Sequence, residues 1–405
     1  MYPSEQYQLL YLKDVPYLLP IGQGIATFHR QLKLNTSSAQ IYQHIVDLCA
    51  DQGDIPATSL VEQLLQILSK EDKHTVSQEE IRKDLWEVLH YFQSYQVLLE
   101  DYPCPTMDIP VSQTYVIAGH LIRFHGDADC ISKEFASFLW DGQDIPEEHY
   151  LDLYLWDETP IPTGVGRQLL KTNELQVLET PVSYHIQSNA SLGIEEIRLQ
   201  KHGNRGDFYL HRQVPSVGYD IFHGTRLLLS YLLQKHEKYL VHSASILYRD
   251  HAWLFSGPSG TGKSTHATLW KQQYDVAHLN GDLNLIGFQK ESTKSVPYVY
   301  GIPWCGTSGI YTTKAVPLGG IILLHQAPDN YLQDKTMDEQ QLSVLQRMIS
   351  PAWTAELNEK NCAFAEKLTQ QIPIWHLYCN MEPEAVDVIK RRIDQYYMQN
   401  DKDEL

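Results

Sequence analysis

One stretch of this sequence limits the folds that are open to the rest of the chain. Trp253 to Trp270 reads WLFSGPSGTGKSTHATLW, and within it Gly257 to Ser264 matches the phosphate-binding loop pattern G-x-x-x-x-G-K-[ST]. The apolar and aromatic run His251 to Ser256 predicts a buried strand, and the residues from Lys263 onward favour a helix. The alternative is a chance glycine turn before a helix, which the longer pattern in this context disfavours. The stretch therefore predicts a strand, a glycine loop and a helix that bind a nucleoside triphosphate.

The residue types in this loop suit a phosphate group. Its glycines allow backbone N–H groups to converge on phosphate oxygens, and the following helix points its positive end at the same anion. Lys263 is expected to reach the terminal phosphates, and the Ser264 hydroxyl is expected to bind Mg²⁺. The expected cofactors are therefore ATP and Mg²⁺. The predicted nucleotide-binding residues are Gly257, Pro258, Ser259, Gly260, Thr261, Gly262, Lys263, Ser264 and Thr265.

The amino-acid composition is typical of a globular protein in which acidic residues outnumber basic ones. The 405 residues, 43% of them hydrophobic, allow two or three domains with a sizeable core. The formal net charge of −18 disfavours nucleic acid as a partner, because phosphate backbones attract basic surfaces. No apolar run is long enough to span a bilayer, and the N-terminus lacks the basic and apolar regions of a signal peptide. Six cysteines without a C-x-x-C pair are typical of reduced thiols, so we expect a cytoplasmic protein.

The first hundred residues predict a small domain of short strands and three helices. Each helix is expected to follow a capping box, at Ser37-x-x-Gln40, Ser59-x-x-Glu62 or Ser77-x-x-Glu80. A short strand, Val97 to Leu99, closes the unit. This order predicts a winged helix-turn-helix domain over residues 1–104. The other predicted strands are Tyr7 to Leu12, Tyr17 to Ile21 and Ile25 to Leu34.

The charge of this domain argues against DNA binding. Residues 1–104 hold seven Lys or Arg against fourteen Asp or Glu, and the third helix is itself acidic. The run PIGQGIATFHRQLKLNTSSAQIYQHI, with YFQSYQVLLE at the end of the third helix, resembles the PqqD family over roughly residues 7 to 100. Members of that family are peptide-recognition domains of ribosomal peptide-modification pathways.

This resemblance implies a peptide partner and a place for it. In the PqqD family the leader of a precursor peptide adds as a strand beside the third strand and packs against the third helix. The groove expected here lies between about residues 27–34 and 80–93. The alternative is a winged helix used only for dimerisation or packing. A homo-oligomer is compatible with both interpretations.

The middle of the chain predicts a β-rich lobe over residues 113–239. The proline-containing run 101–113 predicts a linker before it, and a helix from Tyr219 to Tyr239 ends it. The sequence Arg205-Gly-Asp207 is expected in a hairpin turn over residues 201–207. We assign no chemistry to this lobe. Its predicted strands are Tyr115 to Phe124, Tyr150 to Trp156, Val182 to Gln187, Ile194 to Gln200 and Phe208 to Gln213.

Two polar residues flank the phosphate-binding loop in sequence. His242 lies in a buried-looking strand, 21 residues before Lys263. Such a histidine is ordinarily a core residue, but here it can neighbour the phosphates. Asp282 follows the lysine by 19 residues, which suits a helix and a short return, so it would either hold Mg²⁺ or accept the proton of an attacking hydroxyl. The alternative is a turn aspartate after Asn-Gly.

The remaining residues predict an α/β core over residues 240–400. The run Gly301 to Gly306 (GIPWCG) demands a fixed loop that presents Trp304 and Cys305. A covalent role for Cys305 has no evident base to support it. Further strands are expected over residues 317–325 and 374–378. Helices are expected over residues 338–349 and 353–371, and a last helix starts near Pro383.

The motifs HSAS, GPSGTGKST, NGD and G-x-PWCG, in that order, resemble the HPr kinase/phosphorylase group over roughly residues 113 to 395. That group is related to ATP-dependent phosphoenolpyruvate carboxykinase, and the closest likeness is to kinases of lasso-peptide precursors. The resemblance matches His242 to the histidine before the phosphate loop, and Lys263 and Ser264 to the ATP and Mg²⁺ residues. It matches Asp282 to the second of two paired acids, which serves as the proton acceptor. We therefore expect His242, Lys263 and Asp282 to be catalytic, and Ser264 and Asp282 to hold Mg²⁺. The chain departs from the group at Gly281, which replaces the first of two paired acids, and in lacking an obvious basic loop for docking HPr.

Together these patterns predict an α/β (α+β) protein that is a peptide kinase. The N-terminal domain would bind the leader of a precursor peptide, and the core would transfer the γ-phosphate of ATP to a Ser or Thr hydroxyl. A small-molecule kinase or carboxykinase relative is one alternative. A nucleotide-dependent peptide chaperone without catalysis is another.

Overall fold

The structure, a computed structural model, describes residues 1–4, 6–22, 31–53, 55–71, 77–95, 97–99, 109–156, 167–180, 182–188, 193–201, 203–211, 214–292 and 294–403. The chain divides into two compact units. The first comprises Met1–Ser112, Phe124–Cys130 and Leu153–Ile221, and the second comprises Gln113–Arg123, Ile131–Asp152 and Phe222–Leu405. The domains predicted from the sequence, 1–104, 113–239 and 240–400, stay a prediction.

The first unit begins with short strands and three helices. Its strands β2, β3 and β4 form an antiparallel sheet in that order, and β1 pairs with β5. Apolar side chains from the three helices share one core, which includes Ile45, Leu64, Leu89 and Phe92. The bounds are β1 (Tyr2–Pro3), β2 (Tyr7–Leu12), β3 (Val15–Pro20), β4 (Leu32–Lys33), α1 (Thr36–Gln52), α2 (Ala57–Glu71), α3 (Gln78–Ser94) and β5 (Leu98–Leu99).

The starts of the three helices test the three predicted capping boxes. At α3 the capping box predicted from Ser77 and Glu80 is confirmed, with both reciprocal hydrogen bonds present. The other two boxes are wrong. Helix α1 is capped by Asn35, whose Oδ1 accepts from the Ser38 N–H at 2.7 Å, because an asparagine side chain caps as well as a serine. Helix α2 already begins at Ala57, directly after Pro56, a residue suited to the first turn.

Two other predictions for this part lie partly outside the described residues. Of the predicted strand Ile25 to Leu34, the structure describes only the end, as β4. Of the predicted linker 101–113, residues 101–108 lie outside the described part, and the last three residues belong to a strand.

The middle of the chain is β-rich, as predicted. Strands β9 to β13 form an antiparallel meander in which each strand pairs with the next in sequence. The predicted strands Tyr150 to Trp156 and Ile194 to Gln200 are confirmed. The bounds are β6 (Val111–Ile117), β7 (His120–His125), β8 (Tyr150–Trp156), β9 (Arg167–Lys171), β10 (Leu175–Glu179), β11 (Ser183–Ser188), β12 (Ile194–Gln200), β13 (Arg205–Leu210) and α4 (Val217–Lys235).

Three predictions in this region are wrong. The run Tyr115 to Phe124 is not one strand, because Ala118 and Gly119 have φ values of 52° and 76° and form a turn between β6 and β7. Consecutive positive φ values suit the tight turn of a β-hairpin. The tripeptide Arg205 to Asp207 lies in β13 and not in a turn, and its two charged side chains, two residues apart on one face, pair at 2.7 Å. Helix α4 ends at Lys235, four residues before the predicted end.

The remaining residues form a mixed sheet in the order β15-β14-β17-β18-β19-β21-β20, with β16 paired to β14. Strand β19 is parallel to both β15 and β21, whereas β14 is antiparallel to β15 and β17. The bounds are β14 (Lys238–Tyr248), β15 (His251–Ser256), α5 (Lys263–Tyr274), β16 (Ala277–Asn280), β17 (Leu283–Glu291), β18 (Lys294–Tyr300), β19 (Val316–Gln326), β20 (Tyr331–Gln333), α6 (Met337–Leu345), α7 (Ala355–Thr369), β21 (Ile374–Cys379) and α8 (Glu384–Asp403).

Helices cover both faces of this sheet. Successive residues of β15 point to opposite faces, so Leu254 belongs to one apolar core and Phe255 to the other. The first core includes Phe364 of α7, and the second includes Trp270 of α5 and Ile389 of α8. The fold is therefore mixed α/β with large mixed sheets, compatible with the α+β expectation. Within the described residues, no helix combines the length and the apolar character that crossing a membrane requires.

Candidate active site

The glycine loop connects a buried strand to a helix, as its sequence predicts. Strand β15 ends at Ser256 and helix α5 begins at Lys263, so both predicted bounds are confirmed. Gly257, Gly260 and Gly262 have φ values of 153°, 80° and 90°, a region that only glycine adopts readily. A Cβ at Gly257 would also lie 2.9 Å from the Leu324 carbonyl oxygen. Backbone conformation and close packing thus both require glycine at the start of the loop.

Lys263 lies in the concave side of this loop. Its Nζ donates hydrogen bonds to the carbonyl oxygens of Gly257 and Pro258, each at 3.1 Å. Burial lowers the pKa of Lys263, an effect that the charge of Arg347 reinforces and the charge of Asp282 opposes. The ammonium group is therefore desolvated and encircled by the loop, where an anion would interact with it strongly.

The other predicted loop residues are arranged around this centre. The Thr261 hydroxyl donates to the Pro258 carbonyl at 2.8 Å and holds the turn. The Ser264 side chain lies in the first turn of α5, where exposed backbone N–H groups favour an anion. The exposed members of the set are Pro258, Ser259, Gly260, Ser264 and Thr265. Hydroxyl and carboxylate oxygens are ligands that Mg²⁺ prefers, so Ser264 and Asp282 are residue types that fit the predicted ion.

A cleft of about 430 Å³ adjoins the loop on the side of α5. His266 lines it, is 3% exposed, and has no hydrogen-bond partner for its Nε2 within the described residues. Burial lowers the pKa of His266 to about 4, so its imidazole is neutral at pH 7. The other lining residues are Thr261, Gly262, Thr265, Leu269, Leu324, Gln326, Ala327, Cys379, Asn380 and Met381.

The predicted acid and base residues form a hydrogen-bonded pair. His242 Nε2 donates to Asp282 Oδ1 at 3.1 Å, and both side chains are partly exposed, at 32% and 41%. This hydrogen bond is the largest cause that lowers the pKa of Asp282, and the charges of His242, Arg226 and Lys263 lower it further, against an opposing contribution from burial. Asp282 is thus an ionised carboxylate with solvent access and an oriented partner.

Adjacent strands bring this pair together. His242 lies on β14, which is paired with both β15 and β17, and Asp282 lies in the bend between β16 and β17. The Asn280 Oδ1 accepts from the backbone N–H groups of Asp282 and Leu283, at 2.9 and 3.0 Å. The bend is therefore an Asx-type turn, as the Asn-Gly-Asp sequence suggested, and it also holds a functional candidate.

The serines of the HSAS motif hold that bend in place. Ser245 Oγ donates to Asn284 Oδ1 at 2.6 Å, and Asn284 Nδ2 donates to the carbonyl and hydroxyl oxygens of Ser243. All three side chains are buried. Because buried polar groups without partners are costly, such a satisfied network favours one position of the backbone around Asp282.

The structure gives a physical reason for Gly281, the position where the resemblance led us to expect the first of two paired acids. A Cβ built at Gly281 would lie 2.1 Å from Ser308 Oγ and 2.5 Å from Ser308 Cβ. On the other side of the bend, a Cβ at Gly306 would lie 2.9 Å from Asp282 Cβ. The loop after β18 thus fills the space that a second carboxylate would need.

Gly281→Ala is expected to lower the free energy of unfolding by about 1–3 kcal/mol, because the new methyl group overpacks against Ser308. Thermal or denaturant unfolding measures the loss. The matched control is Ser308→Gly, which removes both close atoms. The double variant should lose less stability than the sum of the two single variants, and additive losses would contradict the contact.

The GIPWCG loop has a structural role at its tryptophan. The Trp304 Nε1 donates to the Phe222 carbonyl at 3.0 Å, and its ring packs against Phe222 and Phe135. Burial raises the pKa of the Cys305 thiol, so the thiolate required of a covalent nucleophile is disfavoured. Trp304 thus anchors the loop, and Cys305 is a poor nucleophile.

Two arginines near the site were missed in the sequence. The pKa of Asp282 is lowered mainly by the hydrogen bond from His242, and the charge of Arg226 on α4 lowers it further. The pKa of Lys263 is lowered mainly by burial, and the charge of Arg347 lowers it further. The Arg347 carbonyl oxygen accepts from the His242 N–H at 2.9 Å. Neither arginine belongs to a spaced motif, so only the fold indicates them.

Comparison with models of known protein families gave no match to this chain, and comparison with curated protein sequences gave none either.

Proposed function

We propose that this chain is an ATP-dependent kinase that phosphorylates a Ser or Thr hydroxyl of a ribosomally made precursor peptide. The observation that carries the proposal is the hydrogen-bonded Asp282–His242 pair, within electrostatic reach of Lys263 in the glycine loop. A kinase requires a phosphate-binding group, a proton acceptor and a residue that orients the acceptor, and these three side chains can supply them.

The roles follow from the chemistry of phosphoryl transfer. The acceptor oxygen forms a bond to the γ-phosphorus of ATP, the bond from that phosphorus to the leaving oxygen of ADP breaks, and Asp282 takes the hydroxyl proton. His242 orients the carboxylate through its Nε2–H, and Lys263 neutralises phosphate charge. Mg²⁺, for which Ser264 and Asp282 are the proposed ligands, would supply further charge neutralisation.

The cleft beside the loop is a suitable place for the nucleoside. It has both apolar lining residues, Leu269 and Leu324, and the amide side chains of Gln326 and Asn380. A nucleobase needs a flat apolar contact and a few hydrogen-bonding groups. The Nε2 of His266, which has no partner in the described part of the chain, adds one more.

A groove in the first unit supports a peptide partner. It has a volume of about 870 Å³ and lies between the start of α1 and the exposed side of α3. Leu34, Ile41 and Val88 contribute apolar surface, and Asp84 and Glu87 contribute acidic groups that favour a basic segment. Among the described strands β4 has β3 as its one neighbour, and we propose that the peptide adds as a strand at its other edge. Residues 27–30 of the predicted groove lie outside the described part. Of its other residues, those that line this volume are Lys33, Leu34, Ile81, Asp84, Leu85, Glu87, Val88 and Tyr91.

Intact mass spectrometry tests the proposal. The full chain is incubated with ATP, Mg²⁺ and the precursor peptide encoded beside its gene, and we expect a phosphate-sized mass gain on the peptide. Lys263→Ala should abolish the gain. Peptide that binds without gaining mass would favour a nucleotide-dependent chaperone, and phosphorylation of a small molecule alone would favour a small-molecule kinase.

His242→Ala is expected to move the acid limb of the pH profile of kcat/KM to higher pH. The hydrogen bond from His242 lowers the pKa of Asp282, so its loss raises that pKa and protonates the base at a higher pH. His242→Gln retains an amide donor and should produce a smaller shift. An unchanged acid limb in His242→Ala would show that this pair does not set the protonation state of the base.

A further inference from the structure

Three histidines from separate segments lie close together near the start of β14. His120 begins β7, His149 ends a short 3-10 helix directly before β8, and His236 lies in the turn between α4 and β14. One ring nitrogen from each can be chosen so that all three lie within 4.8 Å of one another. The ring centroids are 4.4 to 5.0 Å apart.

The hydrogen bonds of two of these rings leave a nitrogen free to act as a ligand. His120 Nδ1 lies 3.1 Å from the Ala118 carbonyl oxygen, and because a carbonyl only accepts, Nδ1 carries the proton. Its Nε2 then has a lone pair, is buried, and has no partner within the described residues. His236 Nε2 similarly donates to the Glu148 carbonyl at 3.1 Å, which leaves Nδ1 for a ligand. Metal-binding histidines commonly donate their second nitrogen to a backbone carbonyl in this way.

We infer that His120, His149 and His236 form a binding site for a divalent first-row transition metal ion of the zinc type. Imidazole nitrogens suit such ions, and a set of three histidines leaves a fourth position for water. Nitrogens around a tetrahedral ion at about 2.1 Å are about 3.4 Å apart, so the half-buried His149 and His236 rings must close slightly on the fixed His120 ring. The ion would tie together three segments that are distant in sequence.

One neighbouring charge opposes the ion and makes the inference easier to test. Lys238 begins β14, two residues after His236, and its charge adds to the effect of burial in lowering the pKa of His120. A positive group near the cluster repels a divalent cation. Lys238→Met should therefore tighten metal binding, whereas a histidine cluster that only packs would show no such response.

The experiment uses the full chain, stripped of metal by a chelator and titrated with Zn²⁺ alone, and then with Co²⁺ alone. We expect about one ion per chain, a visible Co²⁺ absorption band typical of low coordination, and a higher melting temperature with Zn²⁺. Because His120 is buried, the informative variants are His149→Gln and His236→Gln, which should each weaken binding by about tenfold or more.

The controls separate this site from other ligands in the chain. His325→Gln removes a member of a different histidine pair, whose ring nitrogens lie 2.9 Å apart, and Asp282→Asn alters the proposed Mg²⁺ site. Both should retain the wild-type Zn²⁺ affinity and Co²⁺ band. The inference is overturned if the unmodified chain binds no Zn²⁺ at micromolar concentration, or if His149→Gln and His236→Gln bind it as tightly as the wild type.

Discussion

Asp282→Asn is expected to lower kcat for peptide phosphorylation by about 10²- to 10⁴-fold, the usual contribution of a positioned general base. The substitution keeps the shape and can keep a hydrogen-bonding contact with His242, which lies 3.1 Å from the carboxylate. What it removes is the negative charge that accepts the hydroxyl proton. Steady-state kinetics with ATP and the precursor peptide measure the loss.

The control for this prediction is nucleotide binding. The glycine loop and Lys263 are unchanged in Asp282→Asn, so ATP affinity measured by calorimetry without the peptide should fall far less than kcat. Transfer at close to the wild-type rate would show that Asp282 is not the base. A matched loss of ATP affinity and of kcat would show instead that its main role is to hold Mg²⁺.

Val88→Asp is expected to raise KM for the full-length precursor peptide by about tenfold or more. Val88 is a half-buried residue that lines the groove of the first unit, and a carboxylate there would be desolvated by a bound peptide. Kinetics with the full precursor, alongside a short acceptor peptide that lacks the leader, measure the effect.

The short acceptor and a matched variant are the controls. The short peptide does not use the groove, so its KM should not change in Val88→Asp. Gln78→Asp adds the same charge to an exposed position of α3 outside the groove, and it should leave both substrates unaffected. Equal KM values for the full precursor in Val88→Asp and the wild type would remove the argument for leader binding at this surface.

Predictions from the sequence were best where the pattern was local and dense. The strand over His251–Ser256, the helix that begins at Lys263 and the capping box at Ser77 lie where the residues indicate. In each case the energetic preference resides within a few neighbouring residues, through glycine conformations, N–H groups at a helix start or apolar alternation. Tertiary packing at these places is consistent with that local preference.

Predictions failed where two local patterns competed. Ser37 and Asn35 are both good helix caps, and nothing local shows that the asparagine is used. Ala118 and Gly119 interrupt a run of strand-forming residues, and the tight turn there became apparent only from their positive φ values. The tripeptide Arg205 to Asp207 reads as a turn but lies in β13, where pairing with a neighbouring strand outweighs its weak local preference.

Local patterns were enough to predict the glycine loop, its lysine, and the acid and histidine that were expected beside it. Strand pairing is needed to place His242 in hydrogen-bonding contact with Asp282, and the loop after β18 places Ser308 beside Gly281. Folding also brings Arg226 and Arg347 to this site, and it gathers His120, His149 and His236. The physical reason is that a loop's conformation depends on neighbouring residues, whereas contacts between distant residues depend on how strands pair and pack, which no short pattern records.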